Sequence, residues 1–210
     1  MRRLVIDARS PEPAIVGEAA AVIEAGGVVA IPTDTLYGLA ADPWSRVAVA
    51  RVFAVKRREA TQAVPLIAAD LQQATQWLGE LPSAGVRLAD AFWPGPLSLV
   101  IRRPSTIPLE VSGGLESLAV RVPAHEVARA LCRACGRPLT ATSANLSAQP
   151  ASANPDDVAA SLGPRLDLLL DAGQTAGGPP STIVDVTGPE LRLVRPGAVS
   201  WETLIACVGA

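Results

Sequence analysis

Residues Gly27-Val28-Val29-Ala30-Ile31 form an unbroken apolar run that Pro32 closes. A short strand that is apolar on both faces must be covered on both, so it belongs inside a sheet that carries helices on each side. The loop after it, Thr33-Asp34-Thr35-Leu36-Tyr37-Gly38, is polar and ends on glycine, as loops that build binding sites at strand ends commonly are.

The rest of the chain fits this layered plan. Helix signals cover residues 14–25 behind Pro13, 45–56, 70–77 with Asp70 as cap, 84–92, 124–135 and 201–208, with a further start at Asn154-Pro155-Asp156-Asp157. Strand patterns fall at residues 3–7, 27–31, 64–69, 97–101, 118–122, 138–142, 168–171, 182–186 and 191–195. Strands and helices mix without a strict βαβ repeat, and the last three strands follow one another directly. The prediction is an α/β (α+β) fold, a mixed twisted sheet with helices on its faces and not a purely parallel doubly wound one. A chain of 210 residues, 49% of them apolar and with no dividing linker, is expected to form one domain over residues 1–210.

Several function classes drop out early. No apolar run reaches the roughly 18 residues a membrane helix needs. Only Leu4-Val5-Ile6 follow the basic start, too few for a signal-peptide core. Cys132, Cys135 and Cys207 are not a disulfide framework in a chain this long, so the expected compartment is the cytoplasm. A net charge of −2 and 3% aromatic residues give no broad nucleic-acid surface. There is no GxxxxGK[ST] and no GxGxxG after a strand. His125, the sole histidine, sits at a helix start and reads as structural. The Cys132–Cys135 spacing lacks a second pair, reads as helix packing, and leaves no predicted metal site.

What remains is a set of hydroxyls and cations at strand ends. Positive charge is carried by seventeen arginines and one lysine, Lys56, in Lys56-Arg57-Arg58. A compact ammonium and a planar guanidinium do different work on a phosphate. Thr33 and Thr35 follow the buried strand; Ser117 and Arg121 lie four apart on one strand and so share a face. Ser143 and Asn145 open a loop, Ser181 opens a strand, and Arg195 closes one. Each alone is ordinary turn chemistry. Together they suggest a pocket for a polyanion.

The same segments resemble the YrdC family. The matching blocks run in order from Gly26 to Leu39, through Lys56-Arg57-Arg58, Phe92-Trp93-Pro94-Gly95-Pro96-Leu97 and Ala119-Val120-Arg121-Val122-Pro123, to Thr142-Ser143-Ala144-Asn145, Pro180-Ser181-Thr182-Ile183-Val184-Asp185 and Arg195-Pro196-Gly197. The resemblance implies a YrdC/RibB-like open twisted sheet around a large concave pocket. It implies synthesis of L-threonylcarbamoyladenylate from L-threonine, bicarbonate and ATP, for a partner transferase complex that modifies the adenosine beside the anticodon of tRNAs reading ANN codons. Mg²⁺ is implied with ATP, without a dedicated protein cage. By the same resemblance Lys56, Arg58, Ser117, Ser143, Asn145 and Arg195 are ATP-contacting, with Lys56 and Arg58 catalytic. Thr33, Arg121 and Ser181 hold threonine or its carbamate. A weak direct tRNA contact is compatible with it. Residues 59–66 and the hydroxyl near Ser152 depart from the usual pattern, and the extra C-terminal domain of longer members is expected to be missing.

Two other readings stay open at this point. A carbamoyl-adenylate-forming carbamoyltransferase domain would prefer carbamoyl phosphate over threonine and bicarbonate. A non-catalytic RNA-binding module would bind RNA in a salt-sensitive way without ATP turnover.

Overall fold

A computed structural model describes residues 1–59 and 62–209 of the chain. It opens with strand β1 (Arg2–Val5) and helix α1 (Pro13–Glu24), whose first-turn proline loses no hydrogen bond by lacking an N–H. Strand β2 (Val29–Ile31) follows, fully buried along its length. Gly27, just before it, has no room for a side chain: a Cβ there would lie 2.5 Å from Val22 Cγ1 and 2.6 Å from the Val22 carbonyl oxygen. β3 (Gly38–Ala40) returns antiparallel, and α2 (Arg46–Lys56) starts where Ser45 Oγ accepts the Ala48 N–H.

The two-residue strand β4 (Leu66–Ile67) leads to α3 (Leu71–Leu78), capped by Asp70 through the Gln73 N–H at 2.7 Å. Next come α4 (Ser83–Phe92), β5 (Leu97–Arg102), β6 (Ser117–Arg121) and α5 (Glu126–Ala134). The predicted strand over 138–142 divides into β7 (Leu139–Thr140) and β8 (Thr142–Ser143), with Ala141 alone between them. Asn154 caps α6 (Pro155–Leu162) through the Asp156 N–H, and β9 (Leu168–Asp171), β10 (Thr182–Asp185), β11 (Arg192–Arg195) and α7 (Trp201–Gly209) complete the chain.

The mixed sheet expected from the sequence is present, divided in two. One sheet has the order β1-β9-β2-β3-β8 and the other β11-β10-β5-β6-β4-β7, each with parallel and antiparallel pairs. The division falls at Ala141, since β8 pairs with β3 in the first sheet while β7 pairs with β4 in the second. Strand 64–69 shrinks to Leu66 and Ile67 because only these find ladder partners; Val64 bonds to the Val111 carbonyl and Ala68 to that of Arg121.

Both faces of β2 are covered, as its apolar run requires. Val29 and Ile31 pack with Val16, Ile23 and Leu131 of α1 and α5, while Ala30 joins Val52 of α2 and Val158 of α6 on the other side. α2 is a wedge between layers: Ala48, Val52 and Val55 face the first sheet, and Val49 and Phe53 enter the core of the second. Asp167 ties α2 to β2, since both its oxygens accept from Arg51 Nη2 at 2.8–2.9 Å and Oδ2 also takes the Val28 N–H at 2.8 Å. Burial opposes that carboxylate's charge, but the Arg51 and Val28 bonds outweigh it and hold Asp167 below the usual carboxylate range.

The core of the second sheet should carry much of the stability. Leu99→Ala, at a fully buried position of β5, is expected to cost about 2–5 kcal/mol in urea unfolding with an unchanged slope. Val5→Ala, at an exposed position of β1, should stay within about 0.5 kcal/mol of the parent.

Candidate functional site

A cavity of about 380 Å³ lies along the seam between the two sheets. The first sheet contributes Thr33, Thr35, Leu36 and Tyr37 of the loop after β2, Gly38 of β3 and both residues of β8; the second contributes β4, Ser98 of β5, Arg121 of β6 and Ile183 of β10. Arg58, Ser181 and Arg195 complete the polar wall. The volume is at the small end of what ligand sites occupy.

Local geometry explains how each side chain arrives. Lys56 is the last residue of α2 and only 3% exposed. Arg57 then takes the left-handed conformation, with φ of 50°, while its N–H bonds to Ala54 and that of Arg58 reaches the Phe53 carbonyl. This turn keeps Lys56 on the buried side of the helix and sends Arg58 into the cavity wall. Lys56 Nζ donates to the Ser143 carbonyl, to the Asn145 carbonyl at 2.9 Å and to Asn145 Oδ1 at 3.2 Å. All three of its protons are therefore committed to the end of β8 and the loop that follows. Ser143 Oγ also donates to Asn145 Oδ1, and Asn145 Nδ2 holds the Leu146 and Gln149 carbonyls, so the loop is fastened from within as well. Burial, and then the neighbouring charge of Arg58, pulls the Lys56 ammonium down to about 8.

On the opposite wall, Ser181 Oγ lies 2.9 Å from Ser98 Oγ. Arg195 Nη2 donates to the Ser181 carbonyl at 2.7 Å and to its Oγ at 3.1 Å. That approach depends on Gly197, where a Cβ would sit 2.3 Å from the Pro180 carbonyl oxygen. Arg121 is 8% exposed and faces Asp34. Thr33 Oγ1 bonds to the Leu36 carbonyl at 2.7 Å and lies 3.1 Å from Thr35 Oγ1, which shapes the loop around them. Tyr37 is fully buried and its hydroxyl donates to the Gly173 carbonyl; Thr35's carbonyl accepts from Thr175 Oγ1 and the Gly177 N–H. Residues 173–177 are thus stitched to the wall. The segment 57–64 includes Ala60 and Thr61, which lie outside the described residues.

The structure brings together Thr33, Arg58, Arg121, Ser143, Ser181 and Arg195 around one cavity. Lys56 and Asn145 stand behind it, joined to each other. Ser117 does not reach it: the alternation argument gave the face it shares with Arg121 but not the end of β6, and Ser117 pairs with Arg102 at the far end while Arg121 pairs with Ile67 at the near one. Ser98 was missed, although a serine in the otherwise apolar Leu97-Ser98-Leu99 was a visible irregularity. His125 Nδ1 is buried without a partner, and burial lowers its pKa. Cys132 packs against the Ile67 carbonyl and burial drives both thiols up, Cys135 to about 12, which leaves them protonated and inert. Among the described residues, no group of three His, Cys, Asp or Glu side chains is placed to hold a metal, and no helix is long and apolar enough to cross a membrane.

Comparison with known proteins adds a second line. The Sua5/YciO/YrdC family model, described as telomere recombination, matches residues 21–197. A threonylcarbamoyl-AMP synthase of Pyrococcus abyssi is 37% identical over 91% of this chain and 56% of its own. One of Halorhodospira halophila is 44% identical over 75% of this chain and 83% of its own. The crystal structure of Pyrococcus abyssi Sua5 complexed with L-threonine superposes with a TM-score of 0.92 at 35% identity, covering 98% of this chain and 61% of that one. The chain therefore spans less than two thirds of the Pyrococcus abyssi proteins it matches.

The Lys56 ammonium gives a testable pH signature. An unfolded chain holds that proton up to the ordinary value of about 10.5, whereas the folded one releases it from about 8. Between these values the unfolded state binds more protons, so this group's contribution to stability rises with pH, by up to about 1.4 kcal/mol per pH unit. Urea unfolding of the parent and of Lys56→Met at pH 7, 8.5 and 10 should show the parent gaining on the variant above pH 8. A constant difference between the two would mean that the ammonium titrates normally.

Proposed function

The chain belongs to the Sua5/YciO/YrdC family, and from that premise we propose that it is an L-threonylcarbamoyladenylate synthase, converting L-threonine, bicarbonate and ATP to threonylcarbamoyl-AMP and pyrophosphate. The observation that carries this reading is the cavity wall. Arg121 and Ser181 meet Arg58 and Arg195 around one space, so a carboxylate and a phosphate chain find cationic and hydroxyl donors side by side. The likeness to a structure complexed with L-threonine supports the amino-acid half of the reading.

The chemistry suits a wall without a nucleophile. Threonine's amine and bicarbonate give a carbamate and water. A carbamate oxygen then attacks the α-phosphorus; that O–P bond forms as the bond to the β-phosphate oxygen breaks, and pyrophosphate leaves. The carbamate is already anionic, so no histidine or thiolate is required, in keeping with inert cysteines and an unpartnered His125. The protein's task is to hold two anions together and to stabilise charge on the departing group. Arg58 and Arg195 serve the phosphates, and Arg121 with Ser181 the amino acid. Thr33 shapes the floor between them. Lys56 and Asn145 contribute by fixing the loop that carries Ser143.

Mg²⁺ fits this wall as part of the nucleotide's own complex. The hydroxyls of Thr33, Thr35, Ser143 and Ser181 line the cavity, but no carboxylate does among the described residues. When bound with ATP the ion supplies charge neutralisation on the phosphates. In the cell, the adenylate would pass to a transferase complex acting on tRNA, and the cytoplasm is the compartment that suits these substrates.

Purified protein incubated with ATP, Mg²⁺, bicarbonate and L-threonine should form threonylcarbamoyl-AMP by mass spectrometry and release pyrophosphate in parallel. Neither should appear without threonine or without bicarbonate. Folded protein that makes no product would remove the synthase reading. Arg121→Lys, which replaces a planar fork by a point charge, should lose about 2 kcal/mol of threonine recognition, a roughly thirty-fold rise in the threonine KM.

A further inference from the structure

Asp34 was read in the sequence only as part of a loop, yet it is the partner of the most deeply buried guanidinium in the cavity wall. The side chains of Arg121 and Asp34 are 10% and 13% exposed. Burying either charge alone would be costly, so each depends on the other. Their contact is nevertheless loose. Arg121 Nη1 lies 3.3 Å from Asp34 Oδ1 and 3.4 Å from Oδ2, and Oδ1 has no hydrogen bond by geometry. A full guanidinium–carboxylate fork closes to about 2.7–2.9 Å through two nitrogens.

The two residues come from different sheets. Asp34 belongs to the loop between β2 and β3, and Arg121 ends β6. Their pairing therefore spans the seam. Arg121 lines the cavity and Asp34 does not, so the carboxylate backs the guanidinium while the cavity side stays available. The flanking residues fix Asp34 in that place: Thr33 Oγ1 accepts the Thr35 N–H and donates to the Leu36 carbonyl, closing the loop tightly around it. Arg195, a second cation close enough to disfavour the charge on Arg121, would push this guanidinium away if Asp34 did not hold it.

We propose that Asp34 is the positioning residue of the amino-acid subsite: it grips one nitrogen of Arg121 from behind, so that the remaining donors are presented to a substrate carboxylate. The inference rests on the reading that Arg121 receives the carboxylate of L-threonine. It adds a specificity element on the far side of that arginine, one that acts on the amino acid and not on the nucleotide. Because Asp34 engages only Nη1 of Arg121, a substrate carboxylate can take the remaining donors without displacing Asp34.

The test is a steady-state comparison of the parent with Asp34→Asn and Asp34→Glu, with threonine and ATP varied in turn, supported by calorimetric titration of L-threonine. Asp34→Asn keeps the size and removes the charge. It should raise the threonine KM and the calorimetric Kd about tenfold, roughly one weak charge-assisted contact, and leave the ATP KM within about twofold. Asp34→Glu, which restores the charge, should recover most of that loss. If the asparagine variant does not fold, the glutamate variant still decides: near-parent threonine use supports the proposal, and equal losses for both substrates overturn it. A parent enzyme that uses threonine normally, with an Asp34→Asn variant unchanged or impaired equally for threonine and ATP, overturns this inference alone. A parent that neither binds nor uses threonine overturns both this inference and the synthase reading beneath it.

Discussion

Everything that the cavity contains depends on one crossing of the chain. At Ala141 the backbone leaves the second sheet and enters the first within a single residue, with β7 on one side and β8 on the other. The crossing is held by hydrogen bonds to both layers: the Thr140 N–H goes to the Ala41 carbonyl, its Oγ1 to the Leu39 carbonyl, and the Ala141 N–H to the Pro65 carbonyl. Ala141 itself lines the cavity, so the crossing is part of its wall. Residues far apart in sequence, from Thr33 to Arg195, meet there because their strands all end at this seam.

Charge is placed at that gap, and behind it, by a consistent device. Lys56 satisfies its buried ammonium with oxygens of residues 143 and 145, and Arg195 rests on the carbonyl and hydroxyl of Ser181. Arg58 bonds to the Ala63 carbonyl. Such acceptors orient a cation and offset part of its desolvation without cancelling its charge. Arg121 is the exception, since it faces a true carboxylate, Asp34.

How much of this could be read from the sequence followed the range of the interactions involved. The caps at Asp70 and Asn154 were legible because each bonds within three residues, whereas Ser45, read as helical, turned out to be the cap of α2. The buried strand β2 was legible because its apolar run exceeds what one face needs. Strand β3 and the split between β7 and β8 were not: two- and three-residue strands are too short for a periodic pattern, and β7 and β8 are told apart by partners 72 to 105 residues earlier in the chain. Arg121, Ser181 and Arg195 were picked out as cations and hydroxyls at strand ends, and they do meet in one cavity. The direction of Lys56 was hidden by the left-handed turn at Arg57, a conformation that a non-glycine residue does not announce. Alternation along β6 gave the shared face of Ser117 and Arg121, but a strand has two ends and the pattern does not name the one at the seam. Asp34 escaped notice because an acid between two threonines reads as ordinary turn chemistry until its arginine is seen across the gap.

The neutral acceptors of Arg58 and Arg195 have a consequence for how a ligand arrives. The whole chain carries a net charge of −2, which discourages indiscriminate attraction of polyanions to its outer surface. Inside the concave gap, however, two guanidiniums keep their full field because they donate to carbonyls and a hydroxyl and not to acids. Low-dielectric walls concentrate such a field toward the mouth of the cleft. Positive potential is thus confined to the concave gap, where only a group small enough to enter between the two sheets meets both guanidiniums at once.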